Sequence, residues 1–291
     1  MLKNCFNYVG SKDRIYPFIH KNLDHSKAGL IDAFCGSGIV GVNEAEYFDE
    51  IILNDACWQL TSTLNYFKSS YPNVVLDDID AYIKKYDLSK TNKKGYNNLR
   101  DYYNSNCNYY ENFDPAAFYC LATHSFNYNI HINSSGGFSV PFGANRSYFN
   151  SSLRKKFINF QKYLHENRDK IKIFNEDYSK FIRMDNIKAC TFYFDPPYLS
   201  SDSAYGRIYY LGKWDATKEK RLYEQLDKIN DFGGTFLLSN VIENNGKINE
   251  VLKGWAKKYK IIEVPSDFTN CNYQRKNSGR TVEVLIRNYE C

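Results

Sequence analysis

Residues 191–200 read TFYFDPPYLS. Thr191, Phe192, Tyr193 and Phe194 form a short aromatic run, as a buried strand does. Pro196 and Pro197 follow at once. Neither has a backbone N–H to give to a ladder, so the strand stops at Asp195. That sets a carboxylate at the carboxyl end of a strand, the edge along which open α/β sheets bind ligands. One point of the chain thus carries a carboxylate, a carbonyl stiffened by two prolines, an ordered turn and the flat ring of Tyr198.

Asp195-Pro196-Pro197-Tyr198 resembles the Asp/Asn-Pro-Pro-Tyr/Phe/Trp motif of amino-group methyltransferases. Those enzymes use S-adenosylmethionine (SAM) and act on the exocyclic amine of a flipped base or, occasionally, on a protein amide. Read alone, the same letters also describe a proline-rich turn closing a strand.

Working outward, residues 29–41 read GLIDAFCGSGIVG. Residues 30–34 have strand character, Gly36-Ser37-Gly38 is a turn, and residues 39–47 suit a helix. This is the opening βα unit of a nucleotide-binding sheet. Glycine there lets backbone approach a ligand without a Cβ in the way. Residues 50–55, EIILND, form a second strand ending in Asp55. That carboxylate suits the two ribose hydroxyls of an adenosine, or a cap for the next helix. Residues 171–178, IKIFNEDY, give another strand, then Asp177 and Tyr178. These suit an adenine amino group and ring, or a helix cap before Ser179. NAD, FAD and SAM all fit such a unit. SAM is favoured because Gly36, Gly38 and Gly41 meet a pyrophosphate-binding pattern only loosely. In addition, Asp195-Pro196-Pro197-Tyr198 has no part in hydride transfer.

The strand–helix rhythm breaks after the second strand. Residues 58–67 and 115–125 look helical. Residues 86–112, rich in Lys, Asn and Tyr, read as a mobile helical loop region. Residues 126–146, FNYNIHINSSGGFSVPFGANR, alternate around Ser134-Ser135-Gly136-Gly137 as a β-hairpin does. A two-stranded ribbon fits the DNA major groove. Asn127, Asn129, His131, Asn133 and Ser134 offer donors and acceptors there, and Arg146 a charge. A polar surface hairpin has the same composition. Residues 153–167 read as an amphipathic helix with Arg154, Lys155 and Lys156, either a solvated face or a phosphate contact. Residues 56–167 thus stand apart as an inserted domain, leaving a core of 1–55 and 168–291.

Beyond Asp195, residues 200–214 suit a lid or DNA-facing loop. Strands are expected at 234–240, 260–264 and 281–287, and helices at 218–230 and 251–258. The polar loop 267–276, with Arg275 and Lys276, joins the last two strands, which pair most simply as antiparallel neighbours.

Composition sets wide bounds. The 291 residues suit one large domain or a core with an insert. The net charge of +5 permits a polyanionic partner without demanding one. Among the eight cysteines there is no Cys-x-x-Cys pair and no zinc-like spacing, so no metal is expected. The N-terminus lacks the apolar core of a signal peptide, and no stretch nears the ~20 apolar residues of a membrane span. A cytoplasmic monomer with no membrane contact is expected.

Taken together, the landmarks run in a fixed order. Tyr8 and Lys12 flank Gly10-Ser11; Asp32 precedes Gly36-x-Gly38; Asn54-Asp55 follows. Then come residues 136–143, GGFSVPFG, then Asp177, then Asp195-Pro196-Pro197-Tyr198. This resembles the alpha-class (Dam-like, D12 class) DNA adenine-N6 methyltransferases over essentially the whole chain, Tyr8 to Arg287. The resemblance implies an α/β fold: a Rossmann-like SAM-dependent methyltransferase sheet, mostly parallel with one antiparallel strand. A mainly helical target-recognition domain with a β-hairpin is inserted between the second and third strands.

By the same resemblance, Tyr8, Lys12, Asp32, Phe34, Gly36, Gly38, Asp55, Asp177, Tyr178 and Asp195 line the cofactor site. Asp195, Pro196 and Tyr198 act on an adenine flipped out of double-stranded DNA. Asn127, His131, Asn133, Ser134, Arg146, Arg275 and Lys276 face the DNA. The alternatives are methylation of cytosine N4, of RNA adenine or of a protein glutamine, or a non-catalytic DNA-binding module. Two positions depart from the family. Tyr8 stands where many members have Trp. His131 stands where several GATC-reading members have Arg, and histidine cannot pair with guanine through two hydrogen bonds as arginine does, which argues against a GATC target. The C-terminal stretch is similar to methyltransferases paired with type II nucleases, which implies a cognate restriction endonuclease.

Overall fold

Strands form where short runs can be apolar on both faces, and helices cover them. The computed structural model describes residues 1–7, 10–107, 109–199, 211–265 and 281–290. Eight strands lie in one sheet among these residues: β1 (Gly29–Asp32), β2 (Glu50–Asn54), β3 (Ile171–Phe174), β4 (Cys190–Phe194), β5 (Thr235–Asn244), β6 (Lys247–Ile248), β7 (Lys260–Glu263) and β8 (Thr281–Arg287). The order is β3-β2-β1-β4-β5-β8-β7, with β6 on β5. The pairs from β3 across to β5 are parallel. β8 runs antiparallel to β7, as the sequence between the last two strands implied, and it also pairs antiparallel with β5. β1 lies between β2 and β4, so the winding reverses at β1 and β4. That reversal opens a crevice at the carboxyl ends, where such sheets bind ligands.

Alternation assigns the faces. Phe192 and Phe194 of β4 join a cluster with Leu222, Leu226, Ile229 and Leu252, on one side of the sheet. Tyr193 joins the opposite cluster with Leu30, Leu53 and Leu285. Asp195 shares Tyr193's parity, so it leaves the strand tip on the Tyr193 side.

Ten α-helices are present among the described residues. α1 (Tyr16–Asn22), α2 (Ile39–Asn43), α8 (Met184–Ala189), α9 (Ala216–Asp231) and α10 (Glu250–Trp255) accompany the sheet. α3 (Trp58–Ser69), α4 (Pro72–Lys85), α5 (Lys93–Asn106), α6 (Pro115–His124) and α7 (Ser151–Glu166) fill the segment between β2 and β3. α6 is their hub. Every residue from Ala116 to His124 is buried, as expected of a helix apolar on all sides. Asp114 caps it by accepting from the Ala117 N–H at 2.9 Å, and Pro115 opens its first turn. Phe67, Phe118, Tyr119 and Phe157 of this segment belong to the same apolar cluster as Leu30 and Leu53 of the sheet. The inserted helices therefore dock through a core shared with one face of the sheet. Among the described residues, no helix is long and apolar enough to cross a membrane.

Three sequence expectations change in detail. Residues 86–112 contain the regular helix α5, which buries Tyr96, Leu99 and Tyr103. Their i, i+3, i+7 spacing was hidden by surrounding Lys and Asn. Tyr96 donates its hydroxyl to the Val140 carbonyl at 2.7 Å, tying α5 to the 126–146 ribbon. That ribbon has isolated antiparallel bridges, Ser125 to Phe142 and Ile132 to Phe138, in place of two continuous strands. Asn127 and Tyr128, at φ 53° and 56°, bend one side of it away from strand geometry. Finally, β5 extends past the expected end at Asn240 and turns into β6 through Asn245-Gly246, both with positive φ (53° and 78°). Asn-Gly is the signal for a two-residue hairpin turn.

Gly41 shows how close α2 lies to the sheet. A Cβ there would stand 2.3 Å from Leu53 Cδ2 and 3.2 Å from Ile51 Cγ2. Gly41→Ala is expected to push α2 off β2 and cost about 1–3 kcal/mol of stability, as overpacking does. An unchanged urea midpoint would contradict this packing.

Candidate active site

Four polar side chains from distant parts of the chain meet at the tip of β4. The Lys12 ammonium lies 2.9 Å from Asp195 Oδ2 and 3.6 Å from Glu283 Oε1. It also donates to the Tyr198 hydroxyl at 2.7 Å. The Tyr198 O–H donates to Asp195 Oδ1 at 2.8 Å and lies 3.2 Å from Glu283 Oε1. Lys12 reaches this point from the turn before α1, where its carbonyl accepts from the Tyr16 N–H at 2.7 Å. Glu283 comes from β8.

The electrostatics follow from burial and pairing. Lys12 is 7% exposed. Burial works against its charge, yet Asp195 and then Glu283 outweigh it and raise its pKa above the ordinary lysine value. Burial raises the Asp195 pKa above its ordinary value, with Lys12 opposing. The cluster is thus a carboxylate held in place by a buried cation, with the phenol on one of its oxygens.

Beside the cluster runs a cleft with two lobes. The larger encloses about 210 Å³ and is lined by Phe34, Asp55, Asp177, Tyr178, Pro197, Trp214 and Arg221, among others. Phe34 and Tyr178 stand 5.1 Å apart, and Trp214 meets Phe34 edge-on at 5.8 Å. The smaller lobe, lined by Lys12, Asp32, Gly36, Tyr193 and Asp195, shares Phe34 with the larger. Asp195 and Pro197 thus place both lobes on one turn.

Asp32, Asp55 and Asp195 sit at the carboxyl ends of β1, β2 and β4. Burial raises the pKa of Asp32, the Gly41 N–H opposes, and Asp195 and Asp55 add to the rise. Three crowded carboxylates suit a cationic ligand and repel a pyrophosphate. Among the described residues, two buried polar atoms in the smaller lobe, Asp32 Oδ1 and the Tyr193 hydroxyl, have no hydrogen-bond partner. Unsatisfied buried groups are costly, so these two are ready to receive a ligand's polar groups.

Asp55 has a double task. Its Oδ2 accepts from the Gly36 N–H and its Oδ1 from the Cys57 N–H, both at 2.8 Å. It therefore shapes the glycine turn and the turn that leads into α3; the cap position of α3 belongs to Cys57, so the expectation that Asp55 is a solvated cap of that helix is not met. Burial pushes its pKa up to about 6 against those two N–H groups. A carboxyl whose pKa is higher folded than unfolded contributes stability while protonated, and that contribution is lost as pH rises through the folded value. The cofactor-free protein is expected to lose up to about 3 kcal/mol from this group between pH about 4 and about 6. Urea unfolding should show a flatter pH dependence for Asp55→Asn over that window; parallel curves would reject the assignment.

A profile of the D12 class N6 adenine-specific DNA methyltransferases matches residues 8–269. The chain belongs to this family. It is 32% identical over 301 residues to "Modification methylase StsI" of Streptococcus sanguinis, and 32% identical over 293 residues to "Type II methyltransferase M.FokI" of Planomicrobium okeanokoites. It is 28% identical over 289 residues to "Modification methylase LlaI" of Lactococcus lactis subsp. lactis. Each comparison covers 99% of this chain and 43% of the relative's length. A methyltransferase family implies a methyl donor as cosubstrate.

The D12 assignment agrees with the cluster of landmarks in the sequence, and most of those landmarks converge in space. Lys12, Asp32, Phe34, Gly36, Asp55, Asp177, Tyr178 and Asp195 all line the two lobes. Gly38 opens α2 in a left-handed conformation, φ 75°, behind Gly36. Asp177 is exposed, accepts from the Ser179 N–H at 3.0 Å and lies 3.3 Å from Arg221, so it caps the turn as well as lining the cleft. Tyr8, Arg275 and Lys276 lie outside the described residues, as does most of 200–214.

On the ribbon, Asn127, Ser134 and Arg146 are exposed and His131 is half-buried. Asn133 is engaged: its side-chain oxygen accepts from the N–H groups of Ser135 and Gly137, at 3.1 and 2.8 Å. It holds the turn, so its oxygen is not open to a base. Arg154, in the basic run of α7, forms an ion pair with Asp80 and serves the fold.

Three residues were not singled out from sequence. Glu283 sits in an alternating strand, TVEVLIR, where a charge reads as solvated. Trp214 precedes α9, and Glu219 lies in its first turn. Glu219 is fully buried and accepts from Trp214 Nε1 at 2.5 Å and from Asn249 Nδ2 at 2.9 Å. It holds the indole against Phe34. Trp214→Ala is expected to weaken cofactor binding roughly tenfold to a hundredfold, as loss of an aromatic wall does. Equilibrium dialysis showing unchanged affinity would remove Trp214 from the site.

Proposed function

We propose that this chain is a site-specific DNA methyltransferase acting on the N6 amine of an adenine swung out of double-stranded DNA, with SAM as donor. The observation that carries it is the Lys12–Asp195–Tyr198 cluster at the sheet's reversal point, beside an aromatic, carboxylate-rich cleft. The larger lobe suits an adenosine. Asp32 and Tyr193, with their unsatisfied atoms, suit the amino-acid end of SAM. SAM, when bound, supplies an electrophilic methyl group on a sulfonium.

The chain's own residues then orient one nitrogen. An exocyclic amine cannot be reached inside a stacked duplex, so the base must leave the helix. Asp195 and the Pro196 carbonyl accept its two N–H bonds, drawing the nitrogen from planar conjugation toward a lone pair. The Tyr198 hydroxyl now holds Asp195 Oδ1, and it must yield that oxygen to the amine. Its ring then stacks on the base, worth roughly 1–3 kcal/mol. Lys12 keeps the carboxylate ionised and aimed. Asp195 also offers an acceptor for the proton that leaves the methylated amine. Positioning supplies most of the rate.

In this reading, residues 56–167 are the target-recognition domain, with Asn127, His131, Ser134 and Arg146 toward DNA. Arg275 and Lys276 contribute from their loop. The chain works as a monomer, and the names of its relatives as modification methylases imply a cognate restriction nuclease. The test is to express the chain in cells lacking adenine methylation and sequence their DNA with a modified-base readout. N6-methyladenine in one sequence context is expected. Methylation on cytosine, or none despite SAM binding in vitro, would overturn the reading.

A further inference from the structure

A second cluster lies at the other edge of the sheet. His20 near the end of α1, His25 in the loop before β1, and Glu44 just after α2 converge there. His20 Nδ1 stands 3.0 and 3.2 Å from the two Glu44 oxygens, and His25 Nε2 stands 3.0 Å from Oε2. All three ligand atoms lie within 4.8 Å of one another. β1 begins beside this cluster and ends at Asp32, so the cluster is on the sheet edge opposite the catalytic cleft.

Glu44 is fully buried. A buried carboxylate needs a counter-charge. Among the described residues no lysine or arginine forms an ion pair with it; Lys170 donates to the Ala45 carbonyl at 3.3 Å. The Tyr16 hydroxyl hydrogen-bonds the same carboxylate. Tyr47 packs on both imidazoles, at 4.5 and 5.5 Å, and Phe48 on His25 at 5.2 Å, fixing the ring planes. His20 and His25 keep about a third of their side-chain surface exposed, which leaves an approach from solvent.

We propose that His20, His25 and Glu44 form a divalent transition-metal site, with zinc as the fitting ion. Two imidazoles and one carboxylate are a borderline-soft donor set that suits Zn²⁺ with water in the fourth position. Zinc ligands at about 2.0–2.2 Å stand roughly 3.3–3.5 Å apart in a tetrahedron, so small side-chain rotations would admit the ion. The ion supplies Glu44's counter-charge and ties α1 to α2. Lys12 stands one turn before α1 and hydrogen-bonds into it, so the metal would steady the segment that delivers Lys12 to Asp195. The sequence hid the site because Glu44 is 19 residues from His25.

The test uses the full chain without a histidine tag, stripped with a chelator and titrated with Zn²⁺ in a calorimeter, then with Co²⁺ in a spectrophotometer. One equivalent of Zn²⁺, a melting temperature raised by Zn²⁺ and returned by chelator, and visible Co²⁺ bands of tetrahedral type are expected. His25→Asn, a change at an exposed ring, should weaken Zn²⁺ binding roughly a hundredfold or more while the metal-free protein stays folded by circular dichroism. His20→Asn should do the same, independently of any folding defect in Glu44→Gln. No binding to the folded wild-type chain, or binding that both histidine variants keep, would overturn the proposal.

Discussion

Asp195→Ala is expected to lower methyl transfer by about three orders of magnitude or more, about 4 kcal/mol of barrier, with DNA binding largely kept. In the proposed mechanism the Asp195 carboxylate accepts from the amine at the moment its nitrogen gains tetrahedral character. That interaction is stronger in the transition state than in the ground state, so its loss falls on kcat more than on KM. The fold should tolerate the change. Asp195 ends a strand rather than sitting inside one, and Lys12 keeps Glu283 and Tyr198 as partners. Labelled methyl transfer to DNA, with gel-shift affinity measured in parallel, checks both halves. Turnover within tenfold of wild type would remove Asp195 from the chemistry. Loss of DNA binding as well would point to a structural role.

Lys12→Met is expected to cost about 3–5 kcal/mol of stability at neutral pH and to abolish activity, because it leaves two carboxylates around Tyr198 without a cation. Asp195 and Glu283 both face the ammonium, whose side chain is 9% exposed. The pH dependence separates lost charge from lost packing. In wild type, the raised lysine pKa means that the pair's contribution is fully present below the ordinary lysine range and fades only as pH rises through the folded value. In Lys12→Met, protonating Asp195 relieves the uncompensated charge, so the deficit against wild type should shrink as pH falls into the acid range. Urea midpoints for both proteins at neutral and acid pH test this. A deficit below about 1 kcal/mol at neutral pH would mean that the site is open enough for water to replace the lysine.

Much of the protein is legible along the chain because its signals are local. Two consecutive prolines end β4 just before Asp195 whatever surrounds them. The apolar runs of β1 and β2, and the glycines after β1, mark a βα unit by composition alone. Asp55 and Asp195 are legible as strand-end carboxylates, whereas Asp32, expected inside a strand over 30–34, ends β1 in the structure; the sheet brings the three together because these strands run parallel. Where the reading went astray, packing overrode composition. α5 looked mobile because Lys and Asn surround the three residues it buries. Asn133 looked like a base reader, but its oxygen is taken by the turn it closes. Asp55 and Asp177 each bond nearby N–H groups while lining the cleft, and only Asp177 sits at a cap position.

Sequence by itself determined the family, the opening βα unit of the sheet, the break in strand–helix rhythm after β2 and the motif that carries the proposed chemistry. Tertiary structure alone decided that Lys12, Asp195, Tyr198 and Glu283 share one charge cluster, that Glu219 holds Trp214 against the cleft, and that His20, His25 and Glu44 meet. The reason is that turns, strand ends and glycine contacts depend on neighbours in the chain. Counter-charges and buried hydrogen-bond partners are required only where burial removes water, and the fold chooses them from any distance along the sequence.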